Sequence, residues 1–553
     1  MLSLLFKLIS PFFLSTEKKK AWGYSILLVT LSFSLIGLQV LMSYANRYMM
    51  NAVTDKDLAT FWKEILFYLF AIAIAIPVGV FYRYAEEKFS VLWRDWMTNK
   101  LLKKYFYKRS YYMLRGNEEL DNPDQRITED VRSFTGTTLS FALIILNSFV
   151  TLVSFVGVIF IISKKLVAAL ILYAIIGTVL TVLIGKRLVK IYFLQYQKEA
   201  DFRYGLVRVK DNAESIAFFR GEPRERLDLM SRLGLVIRNS LDLINWNRNL
   251  AFFTSGYNYV AILIPIAIVA PMYIKGNVEF GAVSQAAGAF AQVLAATSII
   301  ITQFERLSAY SAGVKRLNGL WEALHADASE DDDDPEISIE EGASLAIEDL
   351  TIRPPKSDRK LVVGLSLKLP KKKGMLIMGA SGTGKSSILR TVAGLWNFGE
   401  GTIKRQQLKR MLFLPQKPYL IPGSLKANLL YPNRGDINVP DETLIEALKS
   451  VHLDNILERL DDGFNTELDW SNILSLGEQQ RLSFARVILY KPDLVFLDEA
   501  TSALDEENEK NLYGVIKNMS CSFVSVGHRS TLIKYHDLKL TIEGHGKWKI
   551  DNI

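Results

Sequence analysis

The chain has 553 residues, too many for one hydrophobic core, so two or more domains are expected. Its one cysteine, Cys521, excludes an internal disulfide framework and any cysteine-built zinc or iron–sulfur centre, and fits a reducing environment as a small hydrophobe in an apolar strand. The formal charge of +8 is read as membrane topology and not as nucleic-acid binding, because the excess Lys and Arg lie between apolar stretches and no nucleic-acid module accompanies them.

Residues Met1–Leu14 are apolar but too short to span a bilayer. No small-residue cleavage site follows, so they read as a helix lying along the membrane surface and not as a signal peptide. Six stretches then have the length of a membrane-crossing helix, about 18–24 residues. They run Ala21–Leu41, Phe61–Tyr82, Leu139–Ile162, Leu166–Leu183, Asn258–Tyr273 with its flanks, and Ala282–Thr302. Lys18, Lys19 and Lys20 precede the first. The segment Arg83–Thr138 is dense in base, from Lys88 and Arg94 to Arg115, Arg126 and Arg132, and Gly185–Leu250 is similar. Met42–Thr60, Ser163–Lys165 and Ile274–Gly281 are short. The amino terminus and both long loops are therefore expected on the cytoplasmic side, against the local vote of Lys164 and Lys165.

Tyr82–Leu114 is charged and free of Gly and Pro, so it reads as a helical stalk continuing the second stretch. Asn122-Pro-Asp-Gln-Arg126 offers a turn and a new helix start. Gln39, Asn147, Gln285, Gln292 and Gln303 are intramembrane amides that either line a cavity or bond neighbouring helices; the second is expected of each. Pro77 and Pro265 are candidate kinks. Asp327–Glu336 is a block of acid that repels itself. The domain reading is a transmembrane domain over 1–325, an acidic linker over 326–343 and a second, α/β domain over 344–553.

The second half carries the chemistry. Gly374–Met378 is a short strand, Gly379-Ala380-Ser381-Gly382-Thr383-Gly384-Lys385-Ser386 is a phosphate loop, and Ser387–Leu395 reads as a helix. The glycines let backbone N–H groups turn toward phosphate, and the helix presents its positive end. Lys385 is assigned to the β- and γ-phosphates of ATP, Ser386 to magnesium, and Ser387 to the nucleotide site. Leu494–Leu497 is an apolar strand of the buried parallel type, ending in Asp498 and Glu499. Asp498 is assigned to magnesium through water, and Glu499 to the attacking water as general base.

Leu474-Ser475-Leu476-Gly477-Glu478-Gln479-Gln480-Arg481 closely resembles the signature of ATP-binding-cassette proteins. Further matches fall in that family's order. Gln416 resembles the glutamine that touches magnesium and senses the membrane domain. Ser502-Ala503-Leu504-Asp505 resembles the D-loop. His528 resembles the switch histidine at the γ-phosphate, although a lone histidine after a strand is ordinarily structural. The resemblance implies an all-α six-helix membrane domain followed by an α/β ATPase domain with a helical signature subdomain. It also implies that Ser475, Leu476, Gly477 and Glu478 close on ATP held by another subunit. One such domain with six spans is half a transporter, and a homodimer suffices because every catalytic position is intact.

Leu476 and Glu478 replace commoner signature residues. That form resembles the subfamily of peroxisomal fatty-acyl transporters, the lysosomal cobalamin transporter and their bacterial relatives. Asn122–Asp130 and Asn212–Gly221 resemble that group's two cytoplasmic loops, and the membrane half also resembles peptide-uptake permeases that lack an ATPase. One departure stands out: where many members place a base-stacking Tyr, about twenty-five residues before the phosphate loop, this chain has Pro354, and Arg353 is the candidate substitute. The expectation is an ATP-driven primary transporter in a bacterial plasma membrane, with its ATPase cytoplasmic. It carries a hydrophilic solute such as cobalamin or a peptide, with acyl-CoA as the alternative substrate. The alternative class is an ATP-gated channel or regulatory membrane protein.

Overall fold

The computed structural model describes residues 2–114, 120, 122–297, 304–325, 337–354, 357, 359–432 and 439–553, and the chain divides into two compact units, Met1–Ala328 and Ser329–Ile553. Arg115, Gln303, residues 298–302 of the sixth apolar stretch and the acidic run Asp327–Glu336 lie outside the described residues.

The first unit is helical. Helix α1 (Leu2–Phe13) turns Leu8 and Phe12, one helical turn apart, into the interior, and Phe12 stacks on Trp93 at 5.4 Å. Helix α2 (Lys18–Asp55) stops where Lys56 takes a left-handed conformation. Asp57 then caps α3 (Leu58–Phe106), accepting from the N–H groups of Ala59 and Thr60. The stalk read from Tyr82 onward is thus one helix with the second apolar stretch as far as Phe106. Lys108 and Arg109 at positive φ break it before α4 (Ser110–Leu114).

Helix α5 (Pro123–Gln125) and a wide helical turn, Arg126–Asp130, lead into α6 (Val131–Ile162). Ser163 alone separates α6 from α7 (Lys164–Asp211), and its hydroxyl caps the new helix at Leu166. Helices α8 (Ala213–Phe219), α9 (Glu222–Ile274), α10 (Phe280–Thr297) and α11 (Phe304–His325) follow among the described residues.

Among the described residues, four helices are long and apolar enough to cross a membrane: Lys18–Asp55, Leu58–Leu114, Pro123–Ile162 and Glu222–Ile274. The expected fourth and sixth stretches fall on α7 and α10, which are not among these four.

Two buried clusters hold the helices. One joins α1, α3 and α11 around Phe89, Trp93 and Leu317; the other joins α6, α7, α9 and α10 around Phe155, Leu170, Val269 and Phe290. In the second, the rings of Tyr173 and Tyr257 stack at 4.3 Å, and each hydroxyl donates to the other's carbonyl, at 2.6 and 3.1 Å. Gly177 makes room for this clasp, since a Cβ there would lie 2.3 Å from the Tyr257 ring.

Asn147 bonds neighbouring helices, accepting from the Ser32 hydroxyl and donating to Tyr82 Oη at 2.9 Å. Gln39 and Gln292 are exposed. Gln285 is buried with neither amide atom partnered among the described residues, so the expected bond to a neighbouring helix is not made there.

The loop around Asn122–Asp130 is fastened to α11. The Arg316 guanidinium donates to both carboxylate oxygens of buried Asp130, at 2.9 and 2.6 Å, and Arg126 donates to the Arg316 carbonyl at 3.0 Å. A bidentate pair of this kind fixes orientation as well as distance. Asp130→Ala is expected to cost about 1.5–3 kcal/mol, the range for hydrogen bonds to charged groups. A melting curve of the full chain checks this as a lower midpoint, and Arg316→Lys is expected to lose only part of it.

The second unit is α/β. Its order is β1 (Ser338–Glu341), β2 (Ala346–Ile352), β3 (Val362–Lys368), β4 (Gly374–Gly379), α12 (Lys385–Val392), β5 (Gly399–Arg405), β6 (Met411–Leu414), β7 (Gly423–Ser424), α13 (Leu425–Leu430), α14 (Asp441–Ser450), β8 (Glu467–Leu468), α15 (Trp470–Ile473), α16 (Leu476–Tyr490), β9 (Leu494–Asp498), α17 (Glu506–Asn518), β10 (Ser522–Val526), β11 (Leu538–Gly544) and β12 (Lys547–Asn552). The main sheet has the order β12-β11-β4-β10-β9-β6, parallel except for β12. A smaller sheet, β1-β5-β2-β3, is mixed.

Strands β4 and β9 are apolar and buried along nearly their whole length, as central parallel strands must be, and both end at the candidate site. Two boundaries need correction. Strand β1 pairs with β5 inside the segment read as linker, because Ile337 and its neighbours have a sheet edge to join. Cys521 is buried one residue before β10, not within a strand.

Candidate functional site

The phosphate loop closes on itself between β4 and α12. Gly382 and Gly384 adopt φ of 78° and 105°, values that a side chain resists and glycine accepts freely. These turns leave Ala380, Ser381 and Gly382 exposed while Lys385 and Ser387 sink into the fold. The Lys385 ammonium donates to the carbonyls of Gly379 at 3.0 Å and Ala380 at 2.7 Å, and Thr383 Oγ1 donates to Ala380 at 2.9 Å. Burial lowers the Lys385 pKa, and the nearby Glu499 and Asp498 carboxylates oppose that shift.

The end of β9 faces this loop. Ser386 Oγ donates to Asp498 Oδ1 at 3.0 Å. Burial raises the Asp498 pKa, the Ser386 bond opposes it, and neighbouring Glu499 adds to it. Glu499 takes a left-handed φ of 48°, costly for any residue with a Cβ. Two backbone bonds hold it there: its N–H donates to Val526 at 3.0 Å, and its carbonyl accepts from Ser502 at 3.0 Å. The carboxylate is then gripped from both sides, by Gln416 Nε2 at 2.8 Å and His528 Nε2 at 3.1 Å. The structure thus brings Gln416, Glu499 and His528 together, with Lys385, Ser386 and Asp498 beside them.

The signature segment stands apart. Ser475 caps α16 in a reciprocal arrangement: its hydroxyl accepts from the Glu478 N–H, and the Glu478 carboxylate accepts from the Ser475 N–H at 2.9 Å. Burial works against the Glu478 charge, but the Ser475 bonds and Arg459 prevail and hold its pKa below the usual value. Leu476 is exposed, and Gly477 lies so close to the D-loop that a Cβ there would sit 3.2 Å from the Ala503 carbonyl. Among the described residues, no hydrogen bond joins Ser475, Leu476, Gly477 or Glu478 to the phosphate loop. Asp505 closes the D-loop by capping α17 at Asn508, at 2.8 Å, and that bond lowers its pKa.

Sequence reasoning gave no role to Gln480, Arg529 or Glu509. The first two were legible only as letters inside longer motifs. Gln480 accepts from the Ala503 N–H at 3.1 Å and donates to Ser502 Oγ at 3.2 Å. Arg529 donates to the carbonyls of Leu504 at 3.0 Å and Ser502 at 2.9 Å. Arg353, the candidate partner for the base, pairs with Glu400 at 3.0 Å.

Family models match both halves: residues 8–274 fit the ABC transporter transmembrane region 2, and residues 362–502 fit the ABC transporter model. An uncharacterised ABC transporter ATP-binding protein of Synechocystis is 45% identical, over 96% of this chain and 82% of its own length. ABC transporter D family member 2, chloroplastic, of Arabidopsis thaliana is 37% identical over 99% and 88%. The lysosomal cobalamin transporter of Homo sapiens is 32% identical over 90% and 88%. In fold, the chain is similar to a bacterial Atm1-family ABC exporter with ATP bound, with a TM-score of 0.77 at 18% identity, covering 97% of this chain and 96% of that one. The chain belongs to the ABC transporter family, with a helical membrane domain followed by an α/β ATPase domain that binds ATP and couples its hydrolysis to transport.

Proposed function

We propose that two copies of this chain form the working transporter, each holding one ATP between its own phosphate loop and the partner's signature end. The observation that carries this reading is the Glu499 carboxylate. It is gripped by Gln416 and His528 beside the phosphate loop, while the capped end of α16 belongs to a separate cluster of bonds. Backbone N–H groups of residues 379–387 cradle the phosphates, and Lys385 releases its two loop carbonyls to reach the β- and γ-oxygens. Glu499 orients and deprotonates the attacking water, and His528 steadies the γ-phosphate side. The Ser475 hydroxyl and the Gly477 backbone complete the cage from the other copy. Loop 502–505 lies against that joint.

Ser386, Asp498 and Gln416 make an oxygen donor set of the kind magnesium takes beside phosphates, with few protein ligands, and the Ser386–Asp498 bond already brings two of them together. Magnesium held by these residues would neutralise phosphate charge during hydrolysis.

In the membrane half we assign six crossings, α7 and α10 joining the other four helices, with the ATPase domain on the Lys/Arg-rich side of a bacterial inner membrane. Domain limits of 1–325 and 338–553, which bring β1 into the ATPase domain, with an acidic joint between them complete this assignment. The solute is a hydrophilic one of the cobalamin or peptide kind. The name of the human relative supports this, and uptake assays in proteoliposomes with cobalamin, a peptide and an acyl-CoA ester separate it from the lipid-like alternative.

The pairing is tested by disulfide trapping. Ser381→Cys and Leu476→Cys, both exposed positions, are placed in a Cys521→Ser, Glu499→Gln chain. ATP is expected to drive a covalent dimer under oxidation. Failure to form one with ATP present overturns the reading.

A further inference from the structure

We infer that Arg529 is a positioning residue for ATP hydrolysis: with Gln480 it clamps loop 502–505 and so holds Glu499 in its left-handed, water-facing conformation. This rests on the assignment of Glu499 above.

The chain of contacts is short. The Glu499 backbone is strained and depends on the Ser502 N–H bonding its carbonyl. Ser502 is exposed, so solvent competes for that bond unless the loop is held elsewhere. It is held from two sides. The Arg529 fork takes the carbonyls of Ser502 and Leu504, two acceptors that a planar guanidinium spans and an ammonium does not. Gln480, almost wholly buried, takes the Ala503 N–H and the Ser502 hydroxyl.

Arg529 is itself anchored. Its guanidinium lies 3.5 Å from Glu509, a carboxylate 1% exposed that also accepts from Thr531 Oγ1 at 2.9 Å. Arg529 directly follows His528, which touches Glu499. Gln480 sits one turn along α16 from Ser475 and reaches the Gln416 carbonyl at 3.5 Å. The clamp therefore ties the segments bearing His528, Gln416 and Ser475 to one loop, and that loop to the strained glutamate. Misplacement of a catalytic group by about 1 Å costs on the order of a hundredfold in rate.

The test uses the full chain in lipid nanodiscs. Four quantities are measured: kcat and KM for ATP, equilibrium binding of a fluorescent ATP analogue, and the melting temperature. Arg529→Ala is expected to lower kcat about ten- to a hundredfold, with analogue affinity within about twofold of the parent. Arg529→Lys keeps the charge beside Glu509 but not the fork, so it is expected to retain the parent melting temperature and still lose kcat. Unchanged kcat in Arg529→Lys overturns the inference. So does a kcat loss in both variants that is matched by equal losses of affinity and melting temperature, since that marks a general structural role. Glu499→Gln is run alongside. If it hydrolyses ATP at the parent rate, the glutamate assignment itself fails; if it is inactive while Arg529→Lys is normal, only the clamp fails.

Discussion

Glu499→Gln is expected to reduce ATP turnover by about two to four orders of magnitude while ATP binding persists, the range for removal of a general base. The substitution is nearly isosteric, and an amide at this position keeps an oxygen for the Gln416 N–H at 2.8 Å. It keeps the backbone bonds to Val526 and Ser502 as well. What it removes is the capacity to take a proton from water. Single-turnover hydrolysis with radiolabelled ATP, run beside equilibrium binding, separates the two effects. A parent-like rate would move the base elsewhere, and His528 would be the next residue to examine.

Lys385→Ala is expected to weaken nucleotide binding by a hundredfold or more, about 3 kcal/mol, the upper range for one hydrogen bond to a charged group. Two losses combine. The ammonium is the phosphate loop's own charge toward the β- and γ-oxygens. It is also the brace of the loop, because it spans the carbonyls of Gly379 and Ala380. Lys385→Arg is expected to fail too, since a wider guanidinium does not fit a position only 6% exposed. Titration of a fluorescent ATP analogue gives the readout, and a loss smaller than about threefold would contradict this account.

Much of this site was legible because each motif has a local physical cause. Glycines at left-handed turns and an apolar strand ending in two acids can be read from a linear string, and Gly382, Gly384 and Asp498 sit where that reading put them. Residues whose part depends on what the fold brings near were not legible. Arg529 and Glu509 are twenty positions apart and meet only because β10 and α17 lie side by side. Asp130 and Arg316 are farther apart still, 186 positions along the chain.

The amides divided for a similar reason. Asn147 found Ser32 and Tyr82, whereas Gln285 is buried without a partner among the described residues, and nothing in the string distinguishes the two.

The joints of the first unit have a mechanical consequence. Ser163 is the whole connection between α6 and α7, and Lys56–Asp57 the whole connection between α2 and α3. Rods hinged by one or two residues have no slack: they open and shut like compasses but do not slide lengthwise past each other. Travel between such rods must grow with distance from the joint, so the helix ends at Phe106 and Asp211 sweep the widest arcs.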